Sequence, residues 1–160
     1  MHILGELVAR SANVTLTQIP YRGTAPGLAD VLGGQVPMLF GTMQSIAQYL
    51  PSGNLVALAV ADNARSSFAP SVPTLAEAGY KNAEISTWQG LLGPKGMADD
   101  LVRTINQDVS DVLSMPDVAH RMKDMAMITV KGDAPAFAQL LTTDAKRYKK
   151  LVEDFRIQPD

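Results

Sequence analysis

Apolar residues first recur at helical spacing. Ile3, Leu4, Leu7 and Val8 share one face with Glu6 and Arg10 opposite, which predicts a helix over residues 2–12. From Val14 to Ile19 the pattern alternates, with Val14 and Leu16 on one side, and reads as a strand. Thr24 is placed to cap a helix that runs to Leu32, with Pro26 tolerated in its first turn and Gly33-Gly34 ending it. Val36–Phe40 is a short apolar strand, and Gly41-Thr42 opens a helix carrying Ile46, Ala47 and Leu50 that Pro51 closes. Leu55–Ala61 is a continuous apolar run, as expected of a parallel strand covered on both faces. The alternation of helix and strand predicts an α/β fold with a mostly parallel sheet.

The second half changes character. Asn63–Pro73 reads as a loop, and Thr74-Leu75-Ala76-Glu77 fits a capping box opening a short helix that Gly79 ends. Ile85–Leu92 holds β-formers around Thr87-Trp88, and Gly93-Pro94-Lys95-Gly96 is a turn. Leu101, Ile105, Val109 and Val112 form a helical stripe, and Pro116 restarts a segment to about Met125. Met127–Val130 is a candidate strand. Phe137, Leu140, Leu141, Tyr148, Leu151, Val152 and Phe155 line a long final helix.

Composition narrows the function classes. The 160 residues suffice for one globular domain, with 46% hydrophobic and 19% charged residues. A net charge of −2 and a pI of about 5.6 leave no electrostatic footprint for nucleic acid. The absence of cysteine removes disulfides, thiol chemistry and Cys-ligated zinc. No apolar run has the length of a membrane helix. Met1-His2-Ile3-Leu4-Gly5-Glu6 shows neither a basic n-region nor a cleavage site, so the sequence looks cytosolic or already truncated.

Catalytic signatures do not emerge. His2 and His120 lie far apart without ligand spacing, and the serines lack an identifiable base. Asp99-Asp100 reads as a pair of helix-start residues that complement the dipole. Met38, Met43, Met122, Met125 and Met127 read as core filler. What remains are two strand-to-helix turns, Arg22–Ala25 and Gly41–Gln44. Free amides and the helix dipole at such turns favour a small anion, and parallel sheets gather them on one edge. Gly23 and Gly41 allow close approach, and Thr24, Thr42 and Ser45 offer hydroxyls. The same threonines also serve as plain helix caps. Arg22 reads as a ligand cation, a cleft wall or a surface ion-pair partner. Tyr21 either leans over the site or packs at the end of its strand, and Trp88 is either core or ligand wall.

The string Tyr21-Arg22-Gly23-Thr24-Ala25-Pro26, followed by Asp30-Val31-Leu32-Gly33-Gly34-Gln35-Val36, resembles the Bug or TctC-type substrate-binding proteins of tripartite tricarboxylate transporters. The likeness continues through Leu58-Ala59-Val60, Val72–Gly79, Trp88-Gln89-Gly90-Leu91-Leu92 and Gly93-Pro94-Lys95-Gly96 into the helical tail.

The resemblance implies a periplasmic-binding-protein-like (type II) arrangement of two α/β lobes with a carboxylate between them, of which this chain matches the carboxyl-terminal half. Residues 1–84 would then form most of the second lobe, and residues 85–160 a crossover strand plus helices of an incomplete first lobe. Tyr21, Gly23, Thr24 and Ala25 would line the site, flanked by Gly41 and Thr42, with Thr87 and Trp88 near the crossover. The sequence departs from the family at Pro37, where an acidic residue is frequent, and at Gly41, where Asp is common. The implied partners are a small mono- or dicarboxylate and the transporter's membrane subunits, with no cofactor, no metal and no enzymatic chemistry. The full-length protein would be periplasmic. Unpaired apolar stripes near Leu101–Leu113 and Phe137–Phe155 predict self-association or an exchanged dimer. The rival reading is an effector-sensing domain of a transcriptional regulator.

Overall fold

The computed structural model describes residues 1–155. They divide into two compact units, Met1–Trp88 and the chain from Gln89 onward.

The first unit opens with α1 (His2–Ala12), which matches the predicted helix. It ends at Asn13, which adopts the left-handed conformation (φ 53°), while the Val14 N–H closes back on the Ala9 carbonyl at 2.9 Å. α2 spans Thr24–Leu32, and α3 (Met43–Ile46) runs directly into a 3₁₀ turn, Ala47–Tyr49. The helix expected after Gly41-Thr42 is therefore shorter and tighter than its apolar spacing suggests. At the end of α2 it is Gly34 (φ 72°) that leaves the helix, and the Gln35 N–H bonds the Asp30 carbonyl at 2.8 Å.

The described residues do not bear out the mostly parallel sheet. Among the described residues there is no strand and one isolated parallel bridge, Val60 to Thr74. Val60 donates to Pro73 O and accepts from Leu75 N, both at 2.9 Å, while Ala61 O accepts from Ile85 N at 2.7 Å. Successive residues of an extended segment bond to opposite sides, so the end of the Leu55–Ala61 run has a neighbour on each side. Earlier in the run the Leu55 N–H bonds the Tyr49 carbonyl at 3.4 Å, and Val56 is 76% and Leu58 73% exposed. The reason is geometric. A β-prone run becomes a strand only beside a second backbone in register, and Val14–Ile19, Val36–Phe40 and Met127–Val130 form no ladder among the described residues.

The core of this unit joins distant parts of the chain. Leu4 of α1 packs with Leu75 and Ala83, and around them lie Leu7, Val8, Phe40, Ala59, Ala61, Tyr80 and Ile85. Gly5 permits the approach of α1, because a β-carbon there would stand 3.3 Å from the Phe40 ring. The capping box also forms. The Thr74 N–H bonds Glu77 Oε2 at 2.8 Å, and the Glu77 N–H bonds Thr74 Oγ1 at 3.1 Å. The segment closes a turn rather than the expected helix, because Gly79 (φ 95°) and the Tyr80 N–H to Leu75 O bond end it within one turn.

The second unit is helical, with α4 (Asp99–Ser114), α5 (Pro116–Asp124) and α6 (Ala134–Phe155), and α4 packs against both others. Met115, held extended before Pro116, separates α4 from α5. Asp99 and Asp100 occupy the first turn of α4, as read from the sequence. Asp133 starts α6 by accepting the Ala136 N–H at 2.8 Å. The apolar stripe of α4 stays largely open, with Leu101 50% and Val112 46% exposed. None of the methionines read as filler is fully buried, and Met38 is exposed.

Candidate ligand-binding site

Tyr21 and the helix behind it set the geometry. The Tyr21 ring lies against Gly27, where a β-carbon would stand 3.1 Å from it, and the hydroxyl donates to Asp30 Oδ2 at 2.7 Å. The residue before the turn is thus tied to the far end of α2, which fixes how the chain enters the helix. That hydrogen bond, then burial and the Asp30 charge, raise the Tyr21 hydroxyl above its ordinary pKa of 10.0. A raised folded-state value means the bond supports the fold below pH 10 and is lost as pH climbs through it. Ultraviolet titration should therefore show Tyr21 ionising late, together with Tyr148, whose hydroxyl is also raised by burial, and Asp30→Asn should return Tyr21 alone toward the ordinary range.

Gly23 is the structural key to the turn. It sits at φ 99°, ψ 177°, a region open essentially to glycine alone, and it occupies the N-cap of α2. Thr24, expected as the cap, is instead the first helical residue. No side chain of the N-cap residue bonds the first-turn amides of this helix. Pro26, next in the turn, has no N–H to satisfy. Ala25 and Arg22 are exposed and Thr24 half-buried.

The second turn lies beside the first. A β-carbon on Gly41 would meet Leu39 Cδ1 at 3.3 Å, Ile46 Cγ2 at 3.4 Å and Thr24 Cγ2 at 3.7 Å. The space beside Gly41 is therefore filled by side chains, one of them from the start of α2. Thr42 is the N-cap of α3, and its hydroxyl shares a 2.8 Å hydrogen bond with Ser45 Oγ. The structure brings Thr24 and Gly41 together. Thr87 and Trp88 close the first unit in extended chain after the Ile85–Ala61 bond, both exposed, Trp88 by 40%. Exposure removes the core reading of Trp88.

Asp30 was not singled out in the sequence, although it fixes Tyr21. Its signal was available: a Tyr and an Asp nine positions apart, bracketing a short helix. The histidines pair within their own helices, His2 with Glu6 at 3.7 Å and His120 with Asp124 at 3.0 Å. Among the described residues no group of three or more His, Cys, Asp or Glu is placed to hold a metal ion, and no helix is long and apolar enough to cross a membrane.

Residues 1–157 match the family described as the tripartite tricarboxylate transporter family receptor, TctC. The chain belongs to that family. It is 32% identical over 158 residues to the UPF0065 protein in the tcbD-tcbE intergenic region of Pseudomonas sp. strain P51, covering 98% of this chain and 47% of that protein. Among solved structures it resembles the periplasmic binding protein BugD, with 28% identity and a TM-score of 0.85 over 99% of this chain and 54% of BugD. It also resembles MatC from Rhodopseudomonas palustris with bound malate, with 29% identity and a TM-score of 0.81 over 94% of this chain and 52% of MatC. The TctC chain thus shares the backbone of periplasmic binding proteins and spans about half the length of these relatives.

Proposed function

We propose that this TctC chain is part of an extracytoplasmic solute receptor that captures a small mono- or dicarboxylate and presents it to the membrane subunits of a tripartite transporter. The carrying observation is the start of α2, which no side chain caps, with Gly23 at its N-cap and Thr24 beside Gly41. Two amides and the positive end of a helix dipole complement one carboxylate group. Malate in the related MatC is a ligand of this chemistry. Thr87 and Trp88 are assigned to the same cleft on the family resemblance, and the receptor binds without catalysing a reaction.

In this reading the portion of the relatives beyond this chain supplies the opposing jaw, and closure of two lobes on the ligand gives the affinity. The full-length protein works in the periplasm. The regulator reading has no observation in its favour.

The test is a titration of the chain with malate, adipate and acetate. Calorimetry should show no micromolar binding, because one jaw alone leaves most of the ligand hydrated. Nuclear magnetic resonance at millimolar ligand should still move the Thr24, Ala25 and Thr42 amides and leave Tyr80 unmoved. Micromolar affinity would sink the two-jaw part of the proposal, and unmoved Thr24 and Ala25 amides would sink the anion site.

A further inference from the structure

An ion pair straps the Asn63–Pro73 loop to the capping box. Arg65 Nε lies 2.8 Å from Glu77 Oε2 and 3.1 Å from Oε1, and its Nη1 donates to the Pro70 carbonyl at 3.2 Å. The same Glu77 carboxylate accepts the Thr74 N–H. Thr74 is itself buried, 4% exposed, and anchored through the Val60 bridge. One carboxylate therefore joins a fixed point to a loop whose other anchors are the buried Ala69 and the Pro73 carbonyl. Within that loop the Ala69 N–H bonds Ser66 O, the Phe68 N–H bonds Ser66 Oγ and the Val72 N–H bonds Ala69 O, all local, while Pro73 O at its end accepts the Val60 N–H.

That loop has a second face. Phe68–Val72 line an open, mostly apolar groove of about 450 Å³ together with Leu50, Pro51, Gly53 and Leu55–Ala57. We infer that the Arg65–Glu77 pair is a latch: while Glu77 is charged it holds the loop as a wall of this groove, and neutralising Glu77 releases the wall while the turn at Thr74 stays formed.

The chemistry separates the two roles of Glu77. A glutamine can keep the reciprocal capping bonds with Thr74, since either residue type serves at that position, but it cannot pair with a guanidinium as an ion. Arg65 is the charged group that faces Glu77, and the other contacts on the carboxylate come from the Thr74 amide and hydroxyl, both neutral. The Arg65 hydrogen bond, followed by the Thr74 amide, holds the Glu77 carboxyl below its ordinary value of 4.5. A lowered folded-state value means the latch is intact above pH 4.5 and opens as pH falls through it.

Hydrogen exchange of the whole chain, read as protection factors between neutral pH and pH 3, tests this. Glu77→Gln and Arg65→Ala should each lower protection at Ala69 and Val72 about two- to fivefold at neutral pH, the range of an exposed pair. Tyr80, bonded to Leu75 O within the turn, should keep its wild-type protection. In the wild type the two loop amides should lose protection in acid before Tyr80 does, and in Glu77→Gln that acid step should be absent. Two outcomes overturn the latch. One is wild-type protection at Ala69 and Val72 in Glu77→Gln. The other is joint loss at the loop and Tyr80, which would make the pair a support of the whole corner. The wild-type acid profile alone decides the matter if either variant fails to fold.

Discussion

Gly23→Ala is expected to abolish the response of the Thr24 and Ala25 amides to carboxylates and to lower the thermal midpoint of the first unit. Alanine at φ 99°, ψ 177° carries a backbone penalty of about 1–3 kcal/mol. In a unit of this size each kcal/mol moves the midpoint by about 4–8 °C. The open space around the missing β-carbon means that the penalty comes from torsion and not from a clash. The chain can escape it only by rotating the peptide units about residue 23, and that rotation re-aims the amides at the start of α2. Gly34→Ala is the control. Gly34 also has a positive φ, 72°, but stands at the other end of α2. Its substitution should cost about 1–2 kcal/mol in stability and leave the carboxylate response intact. Equal responses in the two variants would refute the role assigned to Gly23.

The second large effect is association. Val56, Leu58, Ile128 and Val130 are 76%, 73%, 69% and 82% exposed, and each pair alternates along extended chain. Full burial of such a side chain is worth about 1.5–3 kcal/mol, so Val56 and Leu58 in the first unit offer about 3–6 kcal/mol before hydrogen bonds, and Ile128 and Val130 in the second offer about the same. Association costs about 4–15 kcal/mol in lost freedom, which nearly cancels that gain. The expected result is a weak, concentration-dependent oligomer, seen by light scattering in concentrated solution and dissociating on dilution. Val56→Lys with Leu58→Lys should shift the equilibrium to monomer, because each buried ammonium costs more than the lost contact gains. A monomer at every concentration would contradict this expectation.

Helices were legible wherever the signal was local. The spacing of Ile3, Leu4, Leu7 and Val8 predicted α1, and Pro116 marked the break between α4 and α5. The reciprocal bonds of Thr74 and Glu77 also followed from sequence, although the helix they were expected to open did not. The sheet failed for the opposite reason. Leu55–Ala61 has the composition of a buried strand, but pairing depends on a second segment that no local pattern reveals. At the candidate site the residue types were legible and their duties were not. Thr24 resembled a cap, yet Gly23 fills that position, since a threonine side chain does not fit the torsion the turn requires. Tyr21 stood out as a possible wall, and its hydroxyl is committed to Asp30.

The small core of the first unit sets an order of events in folding. Leu4 meets Leu75 and Ala83, so α1 gains its partners only after nearly the whole unit has been gathered. The hydrogen bonds of α4, α5 and α6 join near neighbours and need no such closure. Low contact order favours speed, and distant contacts must first overcome the entropy of a long loop. The helical unit is therefore expected to acquire its structure early, and the first unit is expected to be the slow step in making the molecule.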